Sequence, residues 1–169
     1  RVTSFDWSGA QVCREVSFYL DGSVEVGAEA LDRQMFSPGT GSGFGNVIVT
    51  VYPQESLTAS LVVTRVDGPD NGKVVRKLVH NLSIEAGKRD FIWDGKDDAG
   101  NYVADGSYAF DFSYEDGCGN RKSNVGKRLE VEVDRAPPVI VLDRPLAGDI
   151  TSSFLDMIAS VNDKNLSSW

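Results

Sequence analysis

Between Asp94 and Asn101 the chain crowds side chains that carry oxygen, and two chemistries use such a set. Asp94, Asp97, Asp98 and Asn101 together offer the hard donors that a calcium ion takes. The spacing departs from the helix-loop-helix calcium pattern, because Lys96 stands in the second ligand slot and no bidentate glutamate closes the loop. Asp97 with Asp98, and Asp111 with Glu115, are the candidate acid pairs for glycoside hydrolysis. That reaction needs two carboxyl groups facing one cleft, whereas neighbours on a strand or turn point apart, so these acids read as solvated surface groups. His80 is the single histidine, and no serine lies in the Gly-x-Ser-x-Gly elbow that would mark a nucleophile for it. Trp7, Trp93 and Trp169 are the candidates for a sugar-stacking platform, with Trp93 better read as core. Cys13 and Cys118 are the two cysteines; their spacing fits no metal site, and a disulfide between them is open in an oxidising compartment.

The elements that must position these residues are strands. Tyr108, Phe110, Phe112 and Tyr114 fall on one face of a period-two segment, with Ala109, Asp111 and Ser113 on the other. Leu129, Val131 and Val133 alternate with Glu130, Glu132 and Asp134 in the same way. Val47–Tyr52 is a run rich in β-branched residues ended by Pro53, and Leu61–Val66 and Val74–Val79 flank a turn at 68–72 whose Asn71-Gly72 pair predicts a hairpin. Asp94-Gly95, Asp105-Gly106 and Gly100 predict tight turns, with glycine taking positive φ and aspartate bonding nearby amides. Residues 23–36 are ambiguous between strand and a short helical turn. Glycine recurs at 39, 41, 43 and 45, which predicts a flexible linker; no lysine follows as in a phosphate-binding loop.

The chain has 169 residues, 41% of them hydrophobic, with a formal charge of −8. That charge argues against nucleic acid and anionic membranes as partners, and no apolar run reaches the length of a membrane helix. Starting at Arg1 without a signal peptide, the sequence reads as a mature piece or an excised fragment. Regular turns and many short strands predict an all-β sandwich, immunoglobulin-like or fibronectin III-like. The expected division is a partial β segment at 1–36, a glycine-rich linker at 37–45, a sandwich at 46–134, a proline linker at 135–138 and the start of a further module at 139–169. The two flanks are expected to pack together as a second partial sandwich, with their independence as the alternative.

The run Trp93-Asp94-Gly95, Asp97-Asp98, Gly100, Asp105-Gly106 and Tyr108 resembles the signature of the immunoglobulin-like module of bacterial flagellar hook-capping proteins. A similar run occurs in modules of large secreted bacterial proteins, and the resemblance covers Asn46 to Asp134. It implies that these positions shape a loop, with no catalytic residue and no cofactor. It also implies a non-enzymatic spacer, scaffold or interaction module of a secreted or cell-surface bacterial protein, whose partners are neighbouring domains or another protein. The alternatives are a carbohydrate-binding module and a cap-type assembly factor.

Overall fold

Strands form where side chains alternate, and in the computed structural model they are the only regular elements among the described residues, which are 2–5, 7–8, 11–14, 20–41, 43–144, 148 and 157–165, the first and third of these as backbone alone. In chain order they are β1 (Val2–Phe5), β2 (Gln11–Arg14), β3 (Val26–Leu31), β4 (Met35–Phe36), β5 (Val47–Pro53), β6 (Leu57–Arg65), β7 (Val74–Ile84), β8 (Arg89–Trp93), β9 (Gly106–Asp116), β10 (Arg121–Ser123), β11 (Leu129–Val133), β12 (Val139–Arg144) and β13 (Ile158–Asn162). One sheet runs β4-β11-β9-β6-β7, with β10 also on β9, and a second runs β3-β5-β8. The two face each other as an immunoglobulin-like sandwich. Hairpins β1–β2 and β12–β13 stand apart as two-stranded sheets.

The core is what the alternation selects. Val47, Val49 and Val51 of β5 meet Leu61 and Val63 of β6 and Tyr108, Phe110, Phe112 and Tyr114 of β9, all buried. Trp93 sits at the centre, with edge-on contacts to Phe36, Tyr108 and Phe110 at centroid distances of 5.3, 5.4 and 5.8 Å. Such edge-to-face aromatic pairs add to what area burial alone supplies.

The sandwich takes in more chain than the expected Asn46 start. β3 pairs antiparallel with β5, and β4 pairs parallel with β11. Val24, Val26 and Phe36 are core residues. Within the ambiguous stretch at 23–36, Val26–Leu31 and Met35–Phe36 are strand, which the alternation concealed: a register shift between Val26 and Glu29 puts one extra residue in β3 and reverses which positions face inward. Residues 37–45 are correspondingly a loop within the sandwich and not a linker before it. Its ends are joined by a bond from Ser37 N–H to Phe44 O, 2.8 Å. Arg121–Ser123, a short polar segment, pairs with β9. Within the expected partial β segment at 1–36, Val2–Phe5 and Gln11–Arg14 are also strand; 15–19 lie outside the described residues, as do 145–147 and 149–156.

β7 passes through His80 and Asn81 as one strand with three register shifts against β6. At one of them Asn81 adopts φ 47°, and Ser60 Oγ accepts its N–H at 2.9 Å. A side chain of β6 thus replaces a rung of the ladder.

Candidate functional site: the polar loop at the end of the sandwich

Loop 94–105 closes one end of the sandwich, and each aspartate in it has a backbone partner. Asp97 Oδ1 accepts N–H from Ala99 and from Asn101, both at 2.9 Å, while its own N–H donates to Asn101 O at 2.8 Å. Asp94 Oδ1 accepts from Lys96 N–H at 3.2 Å. Asp98 reaches outward to the edge of β7: its N–H donates to Val75 O at 3.1 Å and its Oδ1 accepts from Lys77 N–H at 3.0 Å. Arg76 Nη1 adds a bond to Asp97 O, 2.8 Å. The loop thus stands in for a further strand along the first half of β7.

Two glycines let a second loop lie against this one. Gly95 has φ 74°, and a Cβ there would come within 2.5 Å of the Pro38 ring. Gly39 has φ 80°, and its Cβ would meet the Tyr102 ring at 2.9 Å. Beneath them Trp93 Nε1–H donates to Lys96 O at 2.9 Å, which ties the polar loop to the core. Lys96 Nζ and the Arg135 guanidinium both approach the Tyr102 ring, 5.1 and 4.8 Å from its centroid.

Asp105 ends the loop, and Gly106 and Tyr108 lie at the start of β9. Tyr108 OH donates to Ala104 O at 2.7 Å, the corner arrangement of such sandwiches. Burial, with the nearby acids, holds this hydroxyl above its ordinary pKa despite Arg65, so it remains a donor. Arg65 gathers the corner: Nη1 donates to Tyr108 OH and Nη2 to Asp105 O, each at 2.9 Å, and Nε pairs with Asp67 Oδ1 at 2.8 Å. A Cβ on Gly106 would meet Arg65 and Asp67 at 2.5 and 2.6 Å. Asp105 Oδ1 accepts N–H from Arg135, where the chain leaves β11.

The other candidates lie elsewhere. His80 is exposed on β7. Trp7 is fully exposed at the tip between β1 and β2, Trp93 is buried, and Trp169 lies outside the described residues. Asp111 accepts from Thr64 and Arg128 on the outer face of β9, whereas Glu115 pairs with Arg121. Cys118 is an exposed free thiol; the side chain of Cys13, and with it the Cys13–Cys118 pairing, lies outside the described residues.

Sequence reasoning missed two clusters. Glu29, turned inward by the β3 bulge, accepts Tyr114 OH at 2.7 Å and Val125 N–H at 2.9 Å, which joins the two sheets. Burial pushes the Glu29 carboxyl above its ordinary pKa, against the bonds from Tyr114 and Val125. The second cluster is Asp21, Glu55 and Asp116, whose carboxylate oxygens lie within 4.8 Å of one another. Asp116 shapes a turn there, accepting N–H from Cys118 and Asn120 at 2.8 Å. Only a bulge at 27–28 could have flagged Glu29, and nothing in the local sequence announces a bulge.

Residues 42–117 match the family model described as the FlgD Ig-like domain. The chain thus carries an immunoglobulin-like module resembling that of flagellar hook-capping proteins. No curated protein matches the sequence. Among solved structures, a similar one is Pseudomonas fluorescens alkylpurine DNA glycosylase AlkC bound to DNA containing an abasic site analog. The identity is 16%, the TM-score 0.38, and the match covers 66% of this chain and 30% of that one. The chain spans under a third of that protein, and a likeness at this level bears on neither fold nor function.

Proposed function

We propose that this module, of the immunoglobulin-like kind described for flagellar hook-capping proteins, is a non-enzymatic spacer and scaffold in a larger secreted or cell-surface bacterial protein. One observation carries the reading: the chain enters and leaves the sandwich at opposite poles. At entry, Asp21 O accepts from Asn120 beside the end of β9 at Asp116. At exit, Val133 is opposite Gly106, the first residue of β9. The eleven residues of β9 set these points about 33 Å apart at ~3.3 Å per residue. Neighbours joined at two such points are held in series at a fixed distance.

The same geometry weighs against a second sandwich built from the flanks. Residues 24–36 are already committed to the central one, and what precedes Asp21 starts from the pole opposite Arg135. The C-terminal hairpin sits at the exit pole, where Lys164 pairs with Glu132 and Asn165 bonds Asp134. Its register places Ile140, Leu142, Ala159 and Val161 on one face, with Ile140 70% exposed. A face so apolar suits the opening strands of a following module.

The loop at 94–105 acts in this reading as a structural lock, since each of its aspartates accepts a backbone amide. Spin labels at Gly22 and Ala136 test the spacer. A single narrow distance near the pole separation is the expected result, and a broad or short distribution would remove the reading. Full exposure of Trp7 favours carbohydrate binding as the second reading. Retention on a polysaccharide gel that Trp7→Ala abolishes would establish it.

A further inference from the structure

We infer that the module bears tension along its long axis, and that the parallel pairing of β4 with β11, backed by a clasp on Arg135, is the contact that resists it. The inference rests on the spacer reading and adds a load to it. The first and last parts of the sandwich are bonded to each other directly: Met35 is opposite Glu132 and Phe36 opposite Val133, in parallel register. Glu132 N–H donates to Gln34 O at 2.8 Å, and Asp134 N–H donates to Phe36 O at 3.1 Å.

Direction decides how such bonds fail. β3 and β4 lead from the entry pole towards the exit pole, and β11 runs the same way. Pulling outward on Asp21 draws β3–β4 back towards the entry, while pulling on Arg135 draws β11 out through the exit. The two strands must slide past each other, so the rungs between them are loaded together. A pull across the strands would peel one rung at a time.

The exit is also held from the side. Arg135 N–H donates to Asp105 Oδ1 at 3.1 Å, and Arg135 Nε donates to Pro38 O at 3.2 Å. The guanidinium stacks on Tyr102, and Pro38 rests on Gly95. The polar loop is thereby placed where load leaves the module. At entry, Lys122 Nζ and Asn120 Nδ2 hold the carbonyls of Val24 and Asp21, and Glu55 Oε1 holds Glu25 N–H at 2.6 Å.

Single-molecule pulling of the full chain tests this, with handles at the two ends in one experiment and at Ser83 and Arg121 in another. The second pair lies on a row across the sheet, through Thr58 and Glu115. End pulling is expected to need the higher force. Glu132→Pro removes the N–H given to Gln34, and should raise the unfolding rate under end load by about fivefold, the effect of one backbone hydrogen bond. The rate under cross load should be unchanged. Arg135→Ala lies outside the strand, leaves the ladder intact, and should shift the end-load rate in the same direction; it carries the test if Glu132→Pro does not fold. Equal forces in both directions, or variants that alter both equally, would overturn the inference. With the spin-label distance still fixed, that result removes the tension reading alone; a lost distance removes the spacer as well.

Discussion

Asp97 places two backbone amides on one oxygen, which is the work of a turn. Asp97→Ala should therefore cost about 1 to 2 kcal/mol in a denaturant melt, the usual effect of stranding backbone donors. Calorimetric titration with calcium should show no saturable site at 94–101; a stoichiometric site lost with Asp98→Ala would reverse this reading. Gly95→Ala should be costlier. Its Cβ would lie 2.5 Å from Pro38 at φ 74°, so the left-handed backbone and the overlap together cost about 2 to 4 kcal/mol. The turn role of Gly95 was legible from Trp-Asp-Gly, because glycine beside aspartate has a local explanation. Its contact with Pro38 was not, since that proline belongs to a stretch whose glycines suggest only a loose connection.

At the scale of single elements, β8 and β9 show what alternation can and cannot reveal. Trp93 is buried among Phe36, Tyr108 and Phe110, and Trp93→Ala should lower stability by about 3 to 5 kcal/mol; melts that coincide with wild type would place it at the surface. Period two identified the inner face of β9. It could not show that Asp111, on the outer face, joins Thr64, Arg128 and Asn124. Burial alone would raise the Asp111 carboxyl, but the bonds from Arg128 and Thr64 outweigh it and hold the pKa below the ordinary value. A lowered carboxyl pKa contributes stability that is present above the unfolded pKa, near 4, and is lost as pH falls through the folded one. Glu29 has the opposite sign: its raised pKa gives a contribution that is complete below the unfolded pKa and lost as pH rises through the folded one. Denaturant melts from pH 2 to 7 should show Asp111→Asn flattening the acid loss of stability. Glu29→Gln should remove the part of the decline that occurs on rising pH. Arg128 and Thr64 are distant from Asp111 in sequence, which is why pattern reading passed over the network.

Across the whole molecule, the sandwich class followed from strand count and turn spacing, while its limits did not. β3 and β4 were obscured by a bulge and by a strand of only two residues, too short for any period to register. A chain cut to 20–136 should melt as one cooperative unit, whereas one cut to 46–134 loses Val24, Val26 and Phe36 from the core and should fail to do so. An open strand at the border of a sheet invites pairing with a second chain. In β7 the first half is taken by Asp98 and the second is kinked at Asn81, so the loop and the bulge that give this strand its odd shape also close that border to other chains. Replacing both, with Asp98→Ala and Asn81→Thr, should make concentrated solutions scatter light at protein levels where the natural sequence stays clear.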